Sequence, residues 1–466
     1  MKKIFNQLFV VFSLSLALSA CHKEQIANIS PPLILTANGI TSDTLSGTVK
    51  GVMLAGRTYY FNKDITVNDG DTLLMQEGVH LIAIGDGKTA ATAPEIFMHG
   101  TFISLGTSDK PNYITVQNAA TLHTEATQQN YANVLFGWWG GITCTPEAPT
   151  LAKPSPKGGD LILKWTHIEF GGGPAGSADN QAFYKSGDPR YNIYFANITK
   201  NMIIEDCWFF GSKDDNIRSD GGKISIMRNT FELCGGVGGE FLNIKSGTVG
   251  DVAYNMCIGS ATNSLKVSDA GSTGTQANVN LYNNTMVNGG FRQTKSGRGG
   301  GIDFEKLGKG KAFNNLFVNC RFSLRVTSDS DVPNITYDNN LFYGSTATIV
   351  GQFYTTDSYP GIVRAQHDVI STTPKDNAPL FYTYDVNQFD YVANPGPLAA
   401  SVQPYAVIAI ANGSFKLQPT SPAVGKGNSD FAAYGTVAVT GKYGTSITPP
   451  GKDIGAYQTD GSGNQH

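Results

Sequence analysis

Ile226-Met227-Arg228-Asn229-Thr230-Phe231, Ala253-Tyr254-Asn255-Met256-Cys257-Ile258 and Leu281-Tyr282-Asn283-Asn284-Thr285-Met286 repeat one pattern: a β-rich run, an Asn, then an apolar doublet. Ala312-Phe313-Asn314-Asn315-Leu316-Phe317 and Tyr337-Asp338-Asn339-Asn340-Leu341-Phe342 continue it, and Ile204-Glu205-Asp206-Cys207-Trp208-Phe209 begins it with Asp206 in the Asn place. The anchors 206, 229, 255, 284, 315 and 340 lie 23, 26, 29, 31 and 25 residues apart. That period is too short for a propeller blade and lacks leucine-rich spacing. It suits one coil of a β-solenoid, three short strands joined by turns and stacked about 4.8 Å apart. A recurrent Asn fits a coil corner, where its amide bonds the neighbouring coil and its backbone tolerates a left-handed turn. Length variation is then expected in loops on one edge. The expected fold is all-β, a single-domain β-solenoid.

Composition agrees. Among 466 residues there are 54 Gly, 25 Phe and 20 Tyr, with only 15% charged residues and a net charge of −3. A near-neutral chain lacks the basic stripe of a nucleic-acid binder. Helical periodicity is weak, and no long amphipathic helix stands out.

The N-terminus reads as an address. Lys2 and Lys3 precede an apolar run that ends in Leu18-Ser19-Ala20-Cys21. A basic start, a short apolar stretch and small residues before the break make a secretory signal, too short and too polar to span a bilayer. Leu18-Ser19-Ala20-Cys21 resembles the lipobox of bacterial lipoproteins, which implies cleavage before Cys21 and acylation of its thiol. The expected organisation is a signal peptide over 1–20, a lipidated Cys21 and tether over 21–50, the β-helix over 51–430, and a C-terminal coil, cap and tail over 431–466. The expected place is the outer membrane, held by the lipid anchor alone, on the cell surface or the periplasmic face, as a monomer. Cys144, Cys207, Cys234, Cys257 and Cys320 remain; an odd set without Cys-x-x-Cys spacing reads as buried thiols rather than a zinc site.

The stretch Ile65-Thr66-Val67-Asn68-Asp69-Gly70-Asp71-Thr72-Leu73 through Glu77-Gly78-Val79 looks like the first coils of bacterial right-handed parallel β-helix proteins, the pectate-lyase-like superfamily. Gly100-Thr101-Phe102-Ile103-Ser104-Leu105, Trp139-Gly140-Gly141-Ile142 and Ile168-Glu169-Phe170-Gly171-Gly172 continue that likeness. Leu417-Gln418-Pro419-Thr420-Ser421-Pro422-Ala423 with Asp453-Ile454-Gly455-Ala456-Tyr457 is similar to the group's closing motif. The superfamily hosts lyases, hydrolases, esterases and adhesins, so the fold alone names no activity.

Chemistry is sought on a second strand of each coil: Asn216-Ile217-Arg218-Ser219, Asn243-Ile244-Lys245-Ser246, Ser264-Leu265-Lys266-Val267, Gly301-Ile302-Asp303-Phe304 and Ser323-Leu324-Arg325-Val326. With each aliphatic residue inward, its neighbour faces out, giving an outward row Arg218, Lys245, Lys266, Asp303, Arg325. Adjacent cations disfavour each other's charge, so Lys245 is expected to titrate below a free lysine and to serve as a base toward an acidic sugar. Lys266 and Arg218 would neutralise the sugar carboxylate, with Arg325, Asp303 and the flat face of Trp208 holding the chain.

Glu240-x4-Lys245-Ser246 also resembles polysaccharide lyase family six, the alginate lyases and chondroitinase B. The resemblance implies that Glu240 helps hold calcium, that Lys245 is the base, and that Lys266 stands where the family's assisting Arg would be. Here that position reads Lys266-Val267-Ser268-Asp269 instead of Arg-His-Gly, and the second acidic ligand falls on Gly238. Asp214-Asp215 is a further candidate calcium pair, or an Asp-rich turn. Two functions stay open: a lyase acting on an extended acidic polysaccharide, with calcium as the candidate cofactor, or a non-catalytic glycan-binding, adhesive scaffold.

Overall fold

The computed structural model describes residues 39–128, 130–148, 151, 157–176, 184–236, 238–271, 274–293, 297–354, 364–387, 415–437 and 443–466. Cys21 and the signal segment lie outside them. Every pairing between the named strands is parallel, and each strand pairs with its equivalent in the next coil, which makes a parallel β-helix of three faces. Face one is a ten-stranded sheet running from Gly51–Met53 to Ile335–Asp338. Faces two and three together form the nineteen-stranded sheet. A representative coil runs Asn201–Glu205 on face one, Trp208–Ser212 on face two and Ile217–Ser219 on face three.

Parallel pairing needs one residue type to stack on its like. Ile204, Ile226, Val252, Leu281 and Ala312 form one inward column on face one, and Ile217, Leu242, Leu265, Ile302 and Leu324 form another on face three. All are at most 1% exposed. Each Ile, Leu or Val among them contributes roughly 1.5–3 kcal/mol by leaving water. Phe209 stacks on Phe231 at 4.8 Å, and Phe317 on Phe342 at 5.0 Å, so the rings follow the same rule.

The Asn ladder sits at the corner between faces one and two. Asn255 donates from its backbone N and its Nδ2 to Oδ1 of Asn284, at 3.0 and 2.9 Å, while its Nδ2 also reaches the Ile226 carbonyl one coil back. Asn229, Asn284 and Asn315 repeat these bonds, and Asn340 ends the ladder on Asp368 Oδ1. Two expectations need correction here. The rung of the first coil is Cys207, whose N donates to Asn229 Oδ1, and Asp206 precedes it. The left-handed residue is also the one before each ladder Asn: Arg228, Tyr254, Asn283, Asn314 and Asn339 all have φ between 51° and 58°. The ladder bonds hold Arg228 and Tyr254 in a conformation that their side chains would otherwise avoid, while Asn283, Asn314 and Asn339 tolerate it.

This corner is two residues long in all six coils from Asp206–Cys207 to Asn339–Asn340. The two corners flanking face three vary, so length variation enters at two edges and not at one. Between faces two and three the link is four residues at 213–216, seven at 235–241 and twelve at 288–299. A short helix, Ala119–Thr127, and a single turn, Tyr131–Val134, join faces two and three in an early coil. No helix among the described residues is long and apolar enough to cross a membrane. The five cysteines among the described residues are buried free thiols.

The last segment is a strap over the outside of the coils. Asn428 bonds Asn314, Tyr434 and Gly435 bond Asp251, and Thr445 and Ser446 bond Glu205, so the chain runs back down face one. It then returns along the ladder corner through Pro449 on Tyr254 and Gly455 on Asn314. Asn464 finally bonds the carbonyls of Asn229 and Tyr254.

Candidate functional site

Face three carries the candidate chemistry on strands Ile193–Phe195, Ile217–Ser219, Leu242–Ile244, Asn263–Ser268, Gly300–Glu305 and Leu324–Val326. The register pairs Tyr194 with Arg218, Arg218 with Asn243, Asn243 with Lys266, Lys266 with Asp303, and Asp303 with Arg325. The outward row therefore holds Asn243 where Lys245 was expected. Lys245 lies two residues further on, past the strand end, with its backbone N donating to the Ser219 carbonyl at 2.7 Å. Alternation keeps it on the outward side, but the row is not a ladder of three cations.

Nor is the strip electropositive. Lys266 lies between Glu240 at 3.5 Å and Glu305 at 3.1 Å, and Arg325 pairs with Asp303 at 2.9 Å and Glu305 at 3.7 Å. Arg218 meets Asp220 at 3.3 Å. Among the described residues the Lys245 amine has no ion-pair or hydrogen-bond partner, although the residue is only 7% exposed. Burial lowers its pKa most, and the charges of Lys266 and Arg218 lower it further, to about 8. Burial likewise works against the charge of Lys266, but Glu240 and Glu305 outweigh it and hold that amine protonated.

Three carboxyls close on one another beside Lys266. Asp215 accepts from the Glu240 backbone N at 2.8 Å and from Asn243 Nδ2 at 2.7 Å. Burial and the Glu240 charge push Asp214 up to about 7 and Asp215 well above an ordinary carboxyl. Burial also works to raise Glu240, but Lys266, the Asp215 hydrogen bond and Lys245 outweigh it and hold it ionised. A Cβ on Gly238 would stand 1.9 Å from Asp214 Oδ1, so the Asp214 carboxyl from the preceding coil fills the space of the missing acid. The carboxyls face one another and not a common centre. Among the described residues no set of three or more His, Cys, Asp or Glu side chains is arranged to hold a metal ion.

Face three thus gathers Arg218, Lys245, Lys266, Asp303, Arg325, Glu240, Asp214 and Asp215, and leaves Trp208 out. Trp208 is on face two, stacked between His167 at 4.7 Å and His466 at 4.1 Å. Both flat faces are covered, so it offers no platform to a sugar. It belongs to a column of stacked rings, His80, Tyr113, His167, Trp208 and His466. Sequence reasoning passed over Glu305, Asp220, Tyr191 and Tyr194, all of which touch the charged row. Glu305 was within reach of the pattern, two residues beyond Asp303 on the same outward side of its strand.

No family model and no curated protein matches the chain. Among solved structures, the crystal structure of Dettilon tailspike protein (gp208) is similar at 13% identity and a TM-score of 0.32, over 66% of this chain and 50% of that one. The chain spans about half the length of that structure. At that similarity the fold assignment stays with the strand ladders themselves.

Proposed function

We propose that face three binds an extended acidic polysaccharide and cleaves it by β-elimination, with Lys245 as the base. The observation that carries this is the Lys245 amine: without an ion-pair or hydrogen-bond partner among the described residues, mostly buried, and held near 8 by burial and by two cations. An amine in that state takes the proton beside a uronate carboxylate at mildly alkaline pH. The glycosidic bond to the neighbouring carbon then breaks as the double bond forms, and the protonated amine can return its proton to the leaving oxygen. Arg218 neutralises the carboxylate on which charge grows. Lys266, committed to Glu240 and Glu305, acts on Lys245 through its field. Calcium is a test condition and enters no step, because the carboxyls do not surround a shared position.

The same reading makes the chain an envelope lipoprotein, acylated at Cys21 and tethered to the outer membrane as a monomer. A second reading, a non-catalytic glycan-binding scaffold, is favoured by the closed ion pairs of Lys266 and Arg325, which leave those two charges little to offer a ligand. The test incubates the protein from residue 22 onward with alginate, pectate, chondroitin and neutral glycans, with and without calcium. Ultraviolet absorbance of unsaturated uronate, lost in Lys245→Ala, supports the lyase. Retention on a glycan gel without product supports the scaffold, and silence in both rejects the polysaccharide.

A further inference from the structure

Arg218 is held on more sides than any other cation of the row, by residues the charge pattern does not reveal. Its Nε donates to Asp220 Oδ2 at 3.3 Å, and its Nη1 donates to the Tyr191 hydroxyl at 3.1 Å. The guanidinium carbon lies 5.6 Å from the centroid of the Tyr191 ring. Each holder is itself fixed. The Tyr194 hydroxyl donates to the same Asp220 oxygen at 2.7 Å, and the Tyr191 backbone N donates to the Tyr184 hydroxyl at 3.3 Å. Tyr184, Tyr191 and Tyr194 pack together as a buried apolar cluster at the edge of face three. Nη2 of Arg218 has no partner among the described residues, and the side chain keeps 24% of its surface exposed. Lys266 and Arg325, by contrast, are turned onto carboxylates of their own row.

A guanidinium loses affinity for an anion when it must first be ordered, and a fork fixed beforehand avoids that cost. Arg218 pairs with Asn243, two residues before Lys245 and one coil away, about 4.8 Å along the stack, and its charge acts on the Lys245 amine, so one uronate can present its carboxylate to Arg218 and the neighbouring proton to Lys245.

We propose that Tyr191, Tyr194 and Asp220 are positioning residues that preset Arg218 as a carboxylate-reading fork, making the site selective for free, unesterified uronates. The inference rests on the lyase reading of this face. Because charge accumulates on that carboxylate as the proton leaves, the fork contributes more to turnover than to ground-state binding.

The experiment is steady-state kinetics on the uronate polymer that the wild type cleaves, and on its methyl ester, with thermal unfolding measured alongside. Tyr191→Phe keeps the ring and removes one hydrogen bond to a charged group; kcat is expected to fall about ten-fold with a smaller change in KM. The preference for the free acid over its ester falls with it. Asp220→Asn, which keeps the shape and removes the counter-charge, is expected to do the same, and Arg218→Lys is not expected to restore the preference. Wild-type kcat and wild-type preference in stably folded Tyr191→Phe and Asp220→Asn overturn this inference and leave the lyase standing. A wild type that cleaves no uronate polymer overturns both.

Discussion

Lys245 owes its chemistry to its neighbours, and a single substitution can test that debt. The free amine is the reactive form, so elimination should rise with pH through about 8 and level off above it. Lys266→Met removes one of the two cationic neighbours that hold the Lys245 pKa down and leaves Glu240 and Glu305 to pull it up. The rising limb of kcat/KM should therefore move to higher pH in that variant; an unmoved limb would assign it to another group. The placement of Lys245 was only half legible. Leu242 and Ile244 are both aliphatic and both point inward, so alternation fixed the side on which Lys245 lies but not which of Asn243 or Lys245 aligns with Arg218. The pairing that discharges Lys266 was not legible, because Glu240 and Glu305 come from the coils on either side of it, although each residue lay within reach of the pattern.

At the scale of the element, the ladder and the short helix make separate claims. Asn284 is fully buried, and its amide serves Asn255, Asn315 and the Val252 carbonyl together. Asn284→Ala should cost roughly 2–4 kcal/mol in denaturant unfolding, and Asn284→Asp, which sets a buried carboxylate oxygen against the Val252 carbonyl and Asn315 Oδ1, more. The helix Ala119–Thr127 docks on face two through His123, whose Nε2 meets Glu169 at 3.2 Å; His167 approaches the same oxygen at 3.7 Å. Burial opposes the charge on His123, but the hydrogen bond and charge of Glu169 outweigh it and raise its pKa. A raised histidine stabilises fully below its ordinary value of 6.5 and loses that contribution as pH rises through the folded value. Glu169, held below its ordinary 4.5, contributes above that value and fails only in stronger acid. Hydrogen-exchange protection of this helix, corrected for intrinsic exchange, should thus be greatest between the two ordinary values, 4.5 and 6.5, and fall as pH rises beyond them, and His123→Gln should flatten the dependence. The ladder was legible because it repeats, and the one copy misread, Asp206 for Cys207, is the one without Asn. The helix was not legible: nine residues, among them only Leu122 and Ala126 buried, leave too short a stripe to recognise.

For the whole molecule, the period of 23 to 31 residues was enough to expect a stack of parallel coils, because a parallel sheet can be built this way only if each turn repeats the last. The strap could not be foreseen. It repeats nothing, and its partners lie as far as 241 residues back along the chain. Thr445 and Ser446 satisfy the buried carboxylate of Glu205 beside Lys164 and Arg228. Thr445→Val should lower the unfolding midpoint by a few degrees, at a cost of about 1–2 kcal/mol, with face-three activity intact. The strap also changes how the molecule would come apart under load. A bare solenoid touches only nearest neighbours and can be unpicked from either end, one turn after another. Here a single thread ties the turn of Glu205 to that of Asn314, so a pull on the C-terminal side must first peel the thread from its seat. The tether at the other end holds the body to a surface in the proposed arrangement, and a polymer dragged across it would load a bound package and not a loose spring.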